Sequence, residues 1–290
     1  MRKPLAAAFA AAALSFVPAL PVAAAVQHEG TLSYERTGKG ATTLILVPGL
    51  GSGAEVWKDV VADLGDRYTI VTVTLDGFDG APAPKGHVSL DQDVASLDAV
   101  IAREHLVKPV VVGHSLGGYL ALRLAAEHPS DVGRAVIVDA LPVFPPPQPG
   151  ETAAAREAGA HAMAAGVRNA DAAAFAQQTH AVSATMVTSP ANVDWVSNMT
   201  TRSNHDALAD RMEGMMLVDI RPELSKITVP VLVMASAAAY GADATKGFYG
   251  QLYAGTPNVT VTPFATSRHF IMLDDKAGFE KSLTAFAPPA

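Results

Sequence analysis

The sequence of 290 residues contains no cysteine, so no disulfide bond can stabilise the folded chain. Long runs of like charge are also missing, and 21 Lys and Arg residues stand against 28 Asp and Glu residues, a formal net charge of −7 at pH 7. A nucleic-acid partner is not expected, because such binding needs a clustered basic face. Since 49% of the residues are hydrophobic, the chain can form a sizeable core, which excludes a disordered or fibrous protein.

The N-terminal segment has the pattern of a secretory signal peptide. Arg2 and Lys3 precede an apolar stretch at 5–17, and Ala25 ends a run of three alanines that suits a cleavage site. Pro18 interrupts the apolar stretch, which falls short of the roughly 20 residues that a membrane span requires. The pattern predicts cleavage after Ala25, a secreted or periplasmic protein, and no stable insertion in a membrane.

Beyond this leader, short β-branched runs alternate with stretches of helical spacing. Such alternation predicts parallel strands joined by crossover helices. Continuous apolar runs, such as 45–47 and 110–112, suit strands that are buried on both faces of a sheet. The predicted strands are 42–47, 68–74, 109–113, 134–139, 229–235 and 258–262, and the predicted helices are 90–104, 116–127 and 277–286.

One long stretch breaks the alternation. It begins with a proline-rich run and continues into alanine-rich helical sequence without a strand pattern, which predicts an inserted helical lobe. The predicted organisation is a signal peptide at 1–25, an α/β core at 26–140 and 222–290, and a helical cap at 141–221.

The strongest chemical signal is Gly113-His114-Ser115-Leu116-Gly117, which matches the Gly-x-Ser-x-Gly nucleophile elbow. Its context fits, because a predicted strand precedes it and a predicted helix follows. A serine at this sharp turn has a strained backbone, and small flanking residues allow the neighbouring backbone to come close. The helix N-terminus also directs unpaired N–H groups at a developing oxyanion. The motif predicts Ser115 as a nucleophile.

A serine hydroxyl needs an adjacent base, and in this strand-elbow-helix arrangement the histidine comes last in the chain. His269 fits, because it follows the last predicted strand and precedes the last predicted helix. His114 is assigned to packing beside the substrate pocket rather than to proton transfer, since its side chain leaves the turn in another direction. The other histidines have no convincing metal-ligand spacing, so no metal and no cofactor are expected.

Three segments carry a wider resemblance: Val-Pro-Gly-Leu-Gly at 47–51, Gly-His-Ser-Leu-Gly-Gly at 113–118 and Ser-Arg-His-Phe-Ile-Met-Leu-Asp at 267–274. They resemble the signature segments of the α/β-hydrolase superfamily. The resemblance implies a mostly parallel eight-stranded sheet with helices on both faces, an inserted helical cap and a triad of serine, acid and histidine. It also implies an oxyanion hole formed by the backbone N–H groups of Leu50 and Leu116.

The acid of the triad is where the sequence departs from this family. Relatives usually carry an aspartate shortly after the strand predicted at 229–235, but the sequence there reads Ser-Ala-Ala-Ala. Asp243 is the nearest acid and is favoured, because it keeps the usual order of serine, acid and histidine. Asp139, at the end of the preceding strand, is the alternative. A third possibility is a serine-histidine dyad without an acid.

The predicted cap is rich in flexible apolar side chains, which suit varied apolar substrates. They are Met163, Phe175, Met186, Trp195, Met199, Met212, Met215 and Met216. Most of these side chains are expected to pack the lobe onto the core. The candidate pocket residues are His114, Trp57, Phe144, Met199, Met215 and Met216.

The expected activity is cleavage of carboxylic esters with small or medium apolar acyl groups, or of aromatic esters, through an acyl-enzyme on Ser115. An amidase, a lactonase or a carbon–carbon bond hydrolase would use the same residues. A silent ligand-binding protein on the same scaffold is the rival from another functional class, because the acid is missing from its usual place. The expected partner is a small-molecule ester, and the oligomeric state is left open.

Overall fold

The computed structural model describes residues 25–290, so almost all of the predicted signal peptide lies outside the described residues. An 8-stranded sheet has the order β1-β2-β4-β3-β5-β6-β7-β8. Pairing is antiparallel for β1 with β2 and for β2 with β4, and parallel elsewhere. The strands are β1 Gln27–Glu29, β2 Leu32–Gly38, β3 Thr43–Val47, β4 Thr69–Leu75, β5 Val110–His114, β6 Arg134–Val138, β7 Val231–Ser236 and β8 Val259–Phe264.

The mostly parallel eight-stranded sheet that the family resemblance implies is confirmed. Strands β3 to β8 lie within a few residues of the predicted ranges. The pattern alone did not indicate β1 and β2. Strand β2 alternates buried side chains, such as Leu32 and Tyr34, with partly exposed or exposed ones, and β1 has only 3 residues. Short or half-exposed antiparallel strands give a weaker apolar signal than strands covered on both faces.

Two hydrophobic cores cover the two faces of the sheet. In β3, Ile45 and Val47 belong to one core, whereas Leu44 and Leu46 belong to the other. Side chains that alternate across a strand therefore enter apolar surroundings on both sides, which explains the continuous apolar runs. The helices over the first face include α2 Leu90–Arg103, α3 Leu116–Glu127 and α8 Ala242–Leu252, and those over the second include α1 Lys58–Leu64 and α10 Lys276–Phe286.

Four helices occupy the region between β6 and β7: α4 Ala153–Arg168, α5 Ala172–Met186, α6 Pro190–Thr201 and α7 His205–Leu217. Helix α4 packs on α7, and α5 packs on α6. A short helix, α9 Ile271–Asp274, precedes α10. In the described part of the chain, no helix is both long enough and apolar enough to cross a lipid bilayer.

A buried ion pair joins this helical region to the α/β core. Arg211 of α7 donates from Nε and Nη2 to the Asp93 carboxylate on α2, at 2.8 and 2.9 Å. A further N–H of Arg211 donates to the Asp76 carbonyl at 3.0 Å, and both charged side chains are fully buried. Breaking one partner of such a pair leaves an uncompensated charge, so the contact fixes α7 against the core.

Candidate active site

Ser115 lies at the turn between β5 and α3, with φ 52° and ψ −118°. Its backbone N–H donates to the Val138 carbonyl at 2.9 Å. A Cβ at Gly113 would collide with the Gly117 carbonyl, and a Cβ at Gly117 would collide with the Val47 carbonyl. The two glycines of the elbow are therefore required by the close approach of backbone on both sides of the serine.

The two predicted oxyanion donors flank this turn. Leu116 is the first residue of α3, and N–H groups in the first turn of a helix have no partner within the helix. The turn that contains Leu50 packs against the elbow: a Cβ at Gly49 would lie 2.8 Å from His114 Nδ1 and 3.1 Å from Ser115 Cβ. The backbone that follows β3 is thus adjacent to the serine, as an oxyanion hole requires.

His269 lies in the loop between β8 and α9, and its Nδ1 is 2.7 Å from Asp139 Oδ2. Asp139 follows β6 and has a φ of 48°. Asp243, the favoured acid, instead lies in the first turn of α8 with an exposed side chain. The prediction is therefore corrected: the carboxylate that contacts His269 is Asp139, because Gly241 starts a helix that carries Asp243 to the surface.

Three further donors hold the Asp139 carboxylate. The Ser236 backbone N–H donates to Oδ1 at 2.8 Å, the Ser236 hydroxyl to Oδ2 at 2.9 Å, and the Tyr249 hydroxyl to Oδ1 at 2.7 Å. Burial acts to raise the pKa of Asp139, but the hydrogen bonds from His269, Ser236 and Tyr249 outweigh it and hold the pKa below its usual value. Asp139 is thus a fixed carboxylate.

Sequence reasoning missed both Ser236 and Tyr249. Ser236 ends β7 and begins the Ser-Ala-Ala-Ala segment in which the family resemblance predicts the acid. It instead donates hydrogen bonds to Asp139, which follows the neighbouring strand β6. Burial and the Asp139 charge raise the pKa of Tyr249, which keeps its hydroxyl protonated as a donor. No local pattern in α8 indicates this contact.

Replacing Tyr249 by phenylalanine is expected to lower the free energy of unfolding at pH 7 by about 1.5–3 kcal/mol, because a hydrogen bond to a buried charged group is lost. The pKa of Asp139 is lower in the folded protein than in the unfolded chain, so ionisation of this carboxyl stabilises the fold above about pH 4. That stabilisation is lost as the pH falls through the folded pKa. The loss caused by Tyr249→Phe should therefore shrink in acid. Denaturant unfolding between pH 7 and pH 3 measures it.

Tyr253 supplies the matched control. Its hydroxyl donates to the Ala140 carbonyl at 2.7 Å, a neutral acceptor. Tyr253→Phe should therefore destabilise the protein by an amount that changes little with pH. An identical pH dependence in the two variants would contradict the role assigned to the Tyr249 hydroxyl.

His114 packs against His269 and donates a hydrogen bond to its backbone. The His114 Nε2–H donates to the His269 carbonyl at 3.0 Å, and the two imidazole centroids are 4.6 Å apart. Burial, and then the charge of His269, hold the pKa of His114 well below its usual value. His114 is thus a neutral packing partner. Its predicted place as a wall of the pocket is corrected, because it is only 1% exposed and does not line the cavity that Ser115 and His269 share.

A cavity of about 190 Å³ brings Ser115, His269 and Asp139 together. Of the predicted pocket residues, Phe144 and Met215 line it. Trp57 and Met199 do not, because both are fully buried in the second hydrophobic core. Met216 is also buried and is absent from the lining. The complete lining is Ser115, Tyr119, Asp139, Ala140, Leu141, Phe144, Met215, Tyr249 and His269.

One group of possible metal ligands lies elsewhere among residues 25–290. Asp98, His128 and Asp131 bring ligand atoms within 4.8 Å of one another. His128 follows the C-terminal end of α3, whereas Ser115 precedes its first residue, and a helix of 12 residues is about 18 Å long. This partly exposed group is therefore separate from the cavity at Ser115.

Comparison with known proteins extends these observations. The profile of the alpha/beta hydrolase family matches residues 44–281. A protein from Yersinia enterocolitica, named as carbamate hydrolase RutD, is 31% identical over 116 residues. That match covers 38% of this chain and 41% of the relative, so the chain spans less than half of the length of this relative.

Solved structures show the same fold. A thermophilic esterase from Thermogutta terrifontis has a TM-score of 0.76 at 18% identity, covering 91% of this chain and 98% of the esterase. An enol-lactonase from Burkholderia xenovorans has a TM-score of 0.75 at 20% identity, covering 90% of this chain and 99% of the lactonase. Together with the family match over most of its length, the elbow and the sheet order show that the chain belongs to the alpha/beta hydrolase family.

Proposed function

We propose that the protein is a serine hydrolase that cleaves carboxylic esters through an acyl-enzyme on Ser115, with His269 as the base and Asp139 as the acid. One observation carries the proposal: the serine of a strained elbow shares a cavity with a histidine whose Nδ1 lies 2.7 Å from a buried carboxylate. A ligand-binding protein would need neither the strain at Ser115 nor the donors that fix Asp139.

In the proposed cycle, His269 Nε2 accepts the Ser115 proton while Oγ forms a bond to the ester carbonyl carbon. Asp139 holds Nδ1–H, which fixes the tautomer and stabilises the imidazolium. The N–H groups of Leu50 and Leu116 hold the oxyanion. The C–O bond to the alcohol then breaks and Nε2–H protonates the leaving oxygen. In the second half of the cycle His269 takes a proton from water, and the water oxygen adds to the carbonyl of the acyl-enzyme. The bond to Ser115 Oγ then breaks, Oγ recovers a proton from His269, and the carboxylic acid product is released.

The lining of the cavity supports a neutral, apolar acyl group of small size. Its volume is about 190 Å³, and its lining contains no lysine or arginine to pair with a substrate carboxylate. Leu141, Phe144 and Met215 supply apolar surface, and Met215 adds a flexible thioether. The names of the similar proteins, an esterase, an enol-lactonase and a carbamate hydrolase, support hydrolysis of an acyl–heteroatom bond.

Labelling with a fluorophosphonate tests the proposal, because this probe forms a covalent bond only with an activated serine. We expect one equivalent per chain by intact mass, located at Ser115 by peptide mapping. A panel of acetyl and butanoyl esters, with the matching amides and lactones, then identifies the bond. Folded protein that takes up no label would contradict the proposal and favour a binding protein. Labelled protein that turns over amides or lactones faster than esters would show that the proposal names the wrong bond.

A further inference from the structure

A second apolar groove lies beside the cavity at Ser115. It has a volume of about 440 Å³ and lies between the segment after β7 and helix α8. Tyr249 lines both spaces, so the groove and the cavity adjoin at this residue. The complete lining of the groove is Ser236, Ala239, Tyr240, Ala244, Thr245, Phe248 and Tyr249.

Aromatic side chains are exposed at this place and at the adjoining cavity. Tyr240 and Phe248 line the groove with exposures of 82% and 43%, and Phe144 lines the cavity with an exposure of 43%. Within residues 25–290 these are the exposed aromatic residues. Exposed apolar patches mark interaction sites, and one that forms a groove next to Ser115 suits part of a substrate.

The sheet order places the groove on a defined side of the serine. Ser115 follows β5, which has β3 on one side and β6 and then β7 on the other. The turn that contains Leu50 follows β3 and therefore lies on the first side. Asp139 follows β6, and Ser236 ends β7. His269, held by Asp139, must reach the leaving oxygen in order to protonate it. The leaving alcohol therefore departs towards β6 and β7, the side on which the groove lies.

From this geometry we infer that the groove binds the alcohol portion of the substrate, and that the preferred substrates are esters of apolar, aryl-bearing or long alkyl alcohols with a short acyl group. The inference rests on the proposed function and adds the substrate class. The larger, aromatic space receives the alcohol, and the smaller cavity receives the acyl group. Ser236 and Tyr249, which both line the groove, also donate hydrogen bonds to the Asp139 carboxylate, so the groove adjoins the proposed triad.

Two isomeric esters test the assignment, because 2-phenylethyl acetate carries its ring on the alcohol and ethyl phenylacetate carries it on the acyl group. Ala244→Trp fills the groove at an exposed position of α8, and Gln251→Trp places the same side chain at an exposed position of α8 that does not line the groove. Ethyl acetate, which lacks the ring, is the reference substrate. The measurement is kcat/KM for each ester with each protein.

We expect the wild type to prefer 2-phenylethyl acetate over ethyl acetate by about tenfold or more, the ratio that burial of an apolar group supplies. Ala244→Trp should remove this preference and leave the ethyl esters within about twofold. Gln251→Trp should match the wild type. A selective loss on ethyl phenylacetate, an equal loss on all esters or no loss would overturn the inference. Absence of turnover of every ester by the wild type would overturn the proposed function as well.

Discussion

Ser115→Ala is expected to lower kcat for ester hydrolysis by about 10⁴-fold or more, because the acyl-enzyme loses the atom on which it forms. Alanine fits the same left-handed backbone at no greater cost than serine. The variant should therefore unfold at the temperature of the wild type and bind substrate with little change. Steady-state kinetics, fluorophosphonate labelling and a thermal melt provide the three measurements.

Ser130→Ala is the matched control. Ser130 is exposed beyond the C-terminal end of α3, at the opposite end of the helix from the elbow. This variant should keep wild-type rates and labelling. If Ser115→Ala retained more than a few per cent of the activity in a preparation that no longer labels, the nucleophile would have to be another group.

The second large effect is expected from Asp139→Asn, which should lower kcat by about 10³–10⁴-fold. Because the Ser236 N–H and the Tyr249 hydroxyl both donate to Asp139 Oδ1, an asparagine would place its amide oxygen there and its NH2 group against His269 Nδ1. Nδ1 would then have to accept a hydrogen bond, so the imidazole takes the wrong tautomer and its cation loses a counter-charge. Asparagine tolerates the left-handed backbone at this position, so the fold should persist. Activity over a series of pH values, together with circular dichroism, measures the effect.

Asp243→Asn is the matched control for Asp139→Asn. Asp243 is the acid that chain order favours, but its side chain is exposed in the first turn of α8. We expect this variant to retain activity within about twofold, because Asp243 does not line the cavity at Ser115 and an exposed substitution usually changes stability by less than about 0.5 kcal/mol. Comparable losses in both variants would contradict the assignment of Asp139. Full activity in both would mean that Ser115 and His269 work as a dyad.

The sequence predicted the parts of the fold and site that depend on local pattern. Strands covered on both faces, such as β3 and β5, leave continuous apolar runs, and the Gly113–Gly117 elbow needs small residues at fixed spacing. His269 could be found from its order in the chain. These signals are short in range, so a single sequence contains them in full.

The acid could not be predicted in this way, because its identity depends on contacts between distant segments. Asp139 meets His269 across 130 positions and Tyr249 across 110. Pocket residues posed a similar problem. Trp57 and Met215 are both large and apolar, but one fills a core and the other lines a cavity, and composition does not distinguish the two surroundings.

The left-handed backbone at Ser115 and Asp139 has a consequence for engineering. A side chain other than glycine costs of order 1–3 kcal/mol at such a position, so glycine in place of Ser115 would favour the folded state. Asp139 differs, because glycine there would also leave the buried donors of Ser236 and Tyr249 without an acceptor. The stabilising change at Ser115 would remove the nucleophile of the proposed site. Selection of variants by heat resistance alone would thus enrich robust but inactive proteins, and every round of such selection would need a simultaneous screen for hydrolysis.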